Sequence, residues 1–155
     1  MISQVIFRYF NKKDAAINVL KDYEGMKKII KTSKMKIMEK RGMMYSLGGL
    51  RMDGVPHPHN PHAGEERLIN IIDDIDFLEE RYELAEEYMA WFTPAWEALN
   101  DEDRYLLSSF YFDSYEKGDN TAEGVAKDMC LCVQSVHNKK NKALEKFTAL
   151  LFGAK

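Results

Sequence analysis

The chain is poor in the residues that mark several protein classes. Among 155 residues there are only 2 Cys, 4 Pro and 9 Gly. Those counts exclude a disulfide scaffold, a collagen-like repeat and a low-complexity chain. No uncharged apolar run approaches the roughly 20 residues that a membrane span needs. The opening segment, MISQVIFRYFNKK, sets Arg8 inside a short apolar stretch and has no A-x-A-type cleavage site, so it does not read as a signal peptide. An excess of either charge is also missing. Lys and Arg number 22 against 25 Asp and Glu, a net of −3, which rules out a uniformly basic nucleic-acid coat and a disordered polyanion. What remains is 45% apolar and 30% charged, enough for one domain or two small helical units in a reducing cytoplasm.

The near-neutral total conceals segregation. Residues 1–52 carry 12 basic and 4 acidic side chains, a net of +8; residues 53–103 carry 2 and 15, a net of −13; residues 104–155 carry 8 and 6, a net of +2. In the acidic segment apolar residues recur at Leu68, Ile71, Ile75, Leu78, Tyr82, Ala85, Met89, Phe92, Trp96 and Leu99, in alternating steps of three and four. That seam predicts a long amphipathic helix, with a kink or a restart capped by Thr93 at Pro94. The basic segment repeats the spacing at Val19, Tyr23, Met26, Ile30, Ser33, Ile37 and Met44, interrupted by Lys40 and weakened by Gly25 and Ser33.

Residues 46–64, SLGGLRMDGVPHPHNPHAG, hold four Gly and three Pro without periodicity and read as a linker. An antiparallel hairpin of the two helices would bury both seams and set opposite charges side by side; a dimeric coiled coil is the alternative. Either arrangement leaves Leu68, Ile75, Leu78, Tyr82, Met89 and Trp96 mostly buried. Past Leu99, Asn100 or Asp101 can cap a helix beginning DEDRYLLSSFYF, 116–120 is a turn, and Thr121 opens the short helix TAEGVAKDM. The final helix, VQSVHNKKNKALEKFTALLF, stops before Gly153. No run has strand character. The fold class is therefore all-α: a basic helix in 1–45, the linker 46–64, an acidic helix in 65–98 and a helix-turn-helix domain in 99–155.

His57, His59 and His62 in PHPHNPH have no carboxylate or Cys at ligand spacing, and Cys130 and Cys132 are one residue apart with no second pair. The histidines read as a polar linker, the cysteines as small apolar fillers of a turn, and no metal is expected. The acidic residues fall mainly off the seam, as a solvated face does. With neither a phosphate-cradling loop nor a nucleophile elbow, the chain shows no active site and calls for no cofactor.

The last 35 residues carry the functional signal. Two helices joined by a three- to four-residue turn, a small Ala in the first and a Lys/Asn-rich second are the ingredients of a helix-turn-helix. Ala126 must be small where the second helix crosses it, and Val125, Met129, Leu131 and Val136 supply the apolar contacts. Gln134, Ser135, Asn138 and Asn141, with His137, suit base edges; Lys139, Lys140, Lys142 and Lys146 suit phosphates.

The stretch from Leu99 to Phe147 resembles region four of bacterial sigma factors. The resemblance rests on Leu99, Glu102 and Arg104 in the L-x-x-E-x-R opening, Tyr111 ending an aromatic helix, and Glu123, Val125 and Ala126 in the next helix. Ser135 and Val136 follow in the recognition helix, and Lys142, Ala143, Leu144, Lys146 and Phe147 close the pattern. The layout, with its long charged helices and Gly/Pro linker, is similar to small phage and prophage proteins of Gram-positive bacteria, including late-gene transcriptional activators. The resemblance implies a transcription regulator in the host bacterial cytoplasm that binds double-stranded DNA, as a monomer or as a homodimer through its helical region. Docking on RNA polymerase without reading DNA, or a small-terminase-like role in DNA packaging, are the alternatives. Three positions depart from the pattern: Cys130 where the turn usually has Gly, Gly124 inside the first helix, and Lys140 at a commonly apolar position. Nothing corresponds to the sigma regions that melt promoters or recognise the −10 element, so the chain is not a complete sigma factor.

Overall fold

In a computed structural model of the chain, the described residues are 11–47, 62–112 and 121–153. They form five helices: α1 (Lys12–Leu47), α2 (Ala63–Glu97), α3 (Asp101–Tyr111), α4 (Thr121–Asp128) and α5 (Val133–Phe152). No strand occurs among the described residues, so the fold is all-α. None of these helices is long and apolar enough to cross a membrane.

Local chemistry accounts for where the helices begin and end. Asn11 precedes α1, its side-chain oxygen accepting from the Asp14 amide at 3.4 Å. Asn100 caps α3 by accepting from the Asp103 amide at 2.7 Å, which leaves Asp101, Glu102 and Asp103 in the positive first turn. Gly153, at φ +80°, ends α5 in a region that glycine enters without a Cβ penalty. The expected restart at Thr93 does not occur: α2 runs through Pro94 to Glu97. Pro94 lies close to the C-terminal end of α2, and the Ala98 amide still bonds to its carbonyl at 3.1 Å. Phe92 and Ala95, buried on either side of it, hold the turn in place.

Contacts divide the chain into two compact units, one of Met1–Met26 with Tyr88–Lys155 and the other of Lys27–Glu87. The division cuts both long helices, so the first unit takes in more than the 99–155 domain read from the sequence. Its main core gathers Leu20, Phe92, Leu99, Leu107, Leu144 and Phe147. An aromatic stack runs through it, with Tyr23 4.8 Å from Phe92 and 4.5 Å from Phe112, and Phe147 edge-on to Phe92 at 5.6 Å. Each such ring pair adds about 0.5–1.5 kcal/mol beyond burial. Tyr88 ties this core to α1 by donating its hydroxyl to the Val19 carbonyl at 2.5 Å.

The second unit is thinner. Ion pairs join Lys40 to Asp74 and Arg41 to Glu79. Ile37 shares a groove with Tyr82, and Tyr45 shares one with Leu68. Ile37, Ile75 and Ala85 are its buried apolar residues, and Ser33 is buried as well. Within the single chain, burial along the acidic seam is uneven. Leu68 is 38% exposed, and Leu78 and Tyr82 are only half-buried. Two helices can cover one flank of each other and no more.

Candidate nucleic-acid interface

The site is built on the turn between α4 and α5. At the end of α4 the Leu131 amide reaches back to the Ala126 carbonyl at 2.9 Å, and the Cys130 amide to the Lys127 carbonyl at 3.2 Å. This pair of bonds is a Schellman closure, whose pivot residue must take a left-handed conformation and is usually Gly. The pivot is Cys130, at φ +53°, and no other described non-glycine residue has positive φ. Beneath the turn, Val125, Ala126 and Val136 are buried with Leu106 of α3, and Phe110, Met129 and Leu131 pack around them. All five residues read from the sequence as the packing of a helix-turn-helix therefore lie in one cluster. Gly124 faces open space.

The cysteines are not fillers. Both are exposed, because the tight turn directs its own apolar contacts through Met129 and Leu131. Cys132 stands at the N-cap of α5, its sulfur 3.1 Å from the Ser135 hydroxyl. That hydrogen bond, followed by the backbone amide of Ser135, lowers the thiol pKa from its ordinary value.

On α5 the residues read as base-contacting divide in two. Gln134, Asn138 and Asn141 are exposed, at steps of four and three that set them in one row, continued by exposed Glu145. Ser135 and His137 are half-buried, the former beside Cys132 and the latter with its ring 6.0 Å from that of Phe110.

The lysines are not equivalent either. Lys139 pairs with Glu102 and Lys146 with Asp103, the latter at 2.7 Å. Lys140 lies over the Phe110 ring, 4.9 Å from its centroid. Burial, and then the charge of Lys13, push its pKa down from the ordinary lysine value. Lys142 is exposed. Lys13 is the cation that sequence reasoning missed: it lies in α1, 127 positions before Lys140, and no local pattern announces their proximity. One of the anionic partners, Glu102, belongs to the L-x-x-E-x-R opening. Its Arg104 pairs instead with Asp101 at 2.7 Å.

Among the described residues no cluster of His, Cys, Asp or Glu could hold a metal ion. His57 and His59 lie outside them, and His62 is exposed, 3.5 Å from Glu65. No protein-family model matches the chain, and no curated protein or solved structure matches it either.

Proposed function

We propose that the chain is a transcription regulator of phage or prophage type that binds duplex DNA through α4 and α5, with a sigma region-four-like domain at its C-terminal end. The observation that carries this reading is the exposed row of Gln134, Asn138 and Asn141 on the helix that follows the turn. Amides can donate and accept at once, which suits them to adenine edges in the major groove. Ser135 and His137 stand beside that row. Lys142, Lys140 and Lys13 supply cations for phosphates, and Lys139 and Lys146 join them by exchanging a carboxylate for a phosphate. The test is an electrophoretic shift with a panel of phage promoter duplexes at low and moderate salt. Sequence-independent binding is expected at low salt and a preferred site at moderate salt. No shift at low salt would refute the reading.

A second reading rests on the two neutralised lysines. With Lys139 and Lys146 already paired, the domain can dock on RNA polymerase or another protein without reading DNA. Polymerase retention by a variant with Gln134, Asn138 and Lys139 all changed to Ala, together with negligible DNA affinity of the parent chain, would favour it.

A further inference from the structure

One flank of the Lys27–Glu87 unit is an open trough that runs along both helices. Its walls are Lys34, Met38 and Tyr45 on α1 and Leu68, Ile72 and Glu83 on α2, with the Arg41–Glu79 pair bridging the floor. It holds two adjoining grooves of about 520 and 400 Å³. The apolar side chains of the walls are strongly exposed: Met38 70%, Tyr45 87%, Ile72 39% and Leu68 38%. Each wall follows helical spacing, Lys34–Met38–Arg41–Tyr45 and Leu68–Ile72–Glu79–Glu83, so the exposure is a continuous face and not a scatter of single residues.

Charge identifies what fits there. Within this unit α1 carries seven basic residues and one acidic, whereas α2 carries ten acidic and two basic. An apolar face bordered by a cationic wall and an anionic wall is complementary to itself when one copy is turned about an axis parallel to the helices. The basic helix of each copy then lies over the acidic helix of the other. Turning about the perpendicular axis would stack like on like, which charge repulsion disfavours. Two-helix units with one uncovered apolar face complete a core by doubling into a four-helix bundle, and a two-fold contact of this kind closes on itself.

We infer that the chain forms a homodimer through this trough, a four-helix bundle in which Tyr45 of each copy enters the groove beside Leu68 and Ile72 of the other, and Met38 the groove beside Tyr82 and Glu83. The inference does not depend on DNA binding, because it is read from solution mass without DNA. Sedimentation equilibrium of the full chain between 1 and 100 µM should give twice the 18.0 kDa monomer mass. Met38→Glu with Ile72→Glu should raise the dissociation constant at least tenfold with the same helix content by circular dichroism, since both positions are exposed in the single chain. Lys31→Glu with Lys34→Glu, and Glu83→Lys with Glu86→Lys, should each weaken self-association, and an equimolar mixture of the two variants should restore a dimer. A monomer at every concentration overturns the inference, as it would if polymerase or another protein were the occupant. A ring of many subunits overturns it too. So does a dimer indifferent to Met38 and Ile72, or a charge-swapped mixture that fails to pair.

Discussion

Lys146 donates to the Asp103 carboxylate at 2.7 Å, and the two ends of that bond sit in different surroundings: the Asp103 side chain is 10% exposed and the Lys146 side chain 56%. The Lys139–Glu102 pair on the same two helices has both ends in solvent, at 43% and 45%. An exposed pair contributes little because water screens it and two long side chains must be ordered. A carboxylate out of water loses more when its donor is removed.

Double-mutant cycles should therefore separate the two pairs. Asp103→Ala with Lys146→Ala should give a coupling of about 1 kcal/mol in urea unfolding, and Glu102→Ala with Lys139→Ala about 0.3 kcal/mol. Equal couplings would show that burial of Asp103 does not govern the bond.

The acidic seam should respond unevenly along its length. Phe92 is 1% exposed and has the rings of Tyr23, Tyr88, Trp96 and Phe147 within 5.6 Å, so Phe92→Ala should cost about 3–5 kcal/mol. Leu68→Ala, at a position 38% exposed, should cost less than about 1 kcal/mol at dilutions where the chain is monomeric. Similar losses at both positions in denaturant melts would mean that one uniform seam is buried throughout.

That unevenness marks how far the sequence was legible. Helix ends were readable because caps and stops are local: Asn100, Thr121 and Gly153 stand at the expected boundaries. Burial along α2 was not, since a three-four repeat looks the same whether several helices cover it or one. The stacking of Tyr23 on Phe92 and Phe112 joins residues 69 and 89 positions apart, and no window of the sequence contains both partners. At the candidate interface the turn could be read, because Val125, Ala126, Leu131 and Val136 fall at short spacings. The states of the lysines could not, because Glu102, Asp103, Phe110 and Lys13 reach them only through tertiary packing.

Cys130 holds a left-handed conformation that costs an L residue about 1–2 kcal/mol, while Gly gives back about half of that as chain entropy on folding. Cys130→Gly should therefore stabilise the chain by about 0.5–1 kcal/mol and raise the melting temperature. Cys130→Val should lower it, since a β-branched residue tolerates positive φ poorly. If Gly also destabilises, the turn is not pivoting at residue 130.

Burial, followed by the charges of Asp22 and Tyr23, raises the Tyr88 phenol well above its ordinary value of 10.0. Burial raises Tyr111 in the same direction. The folded chain thus keeps protons that the unfolded chain releases near pH 10. The contribution is fully present below pH 10 and is lost as the pH climbs beyond it. Urea unfolding from pH 8 to 11 should show stability falling above pH 10, with a shallower fall in Tyr88→Phe. Identical slopes in the two proteins would remove Tyr88 from the account.

DNA binding, if it uses α5 as proposed, should carry the imprint of the paired lysines. Each phosphate contact contributes about 0.9 to the slope of log affinity against log salt, and the −13 segment must lie away from the duplex or under the basic helix. Four cations on α5 with Lys13 would give three to five contacts per protomer at the same scale of about 0.9 each. The carboxylates of Glu102 and Asp103 compete for two of them, which places the expected slope near the lower bound. Lys142→Ala should lower the slope by nearly one unit and weaken binding evenly across sequences. Lys146→Ala should lower it by less than half a unit, whereas Asp103→Asn, which releases that lysine, should raise it. Gln134→Ala or Asn138→Ala should leave the slope alone and relax preference for the specific site by about 1–3 kcal/mol. Titrations at four salt concentrations resolve these differences. A slope that instead follows Lys27, Lys28, Lys31 and Lys34 would move the DNA surface to α1 and refute the assignment of α5.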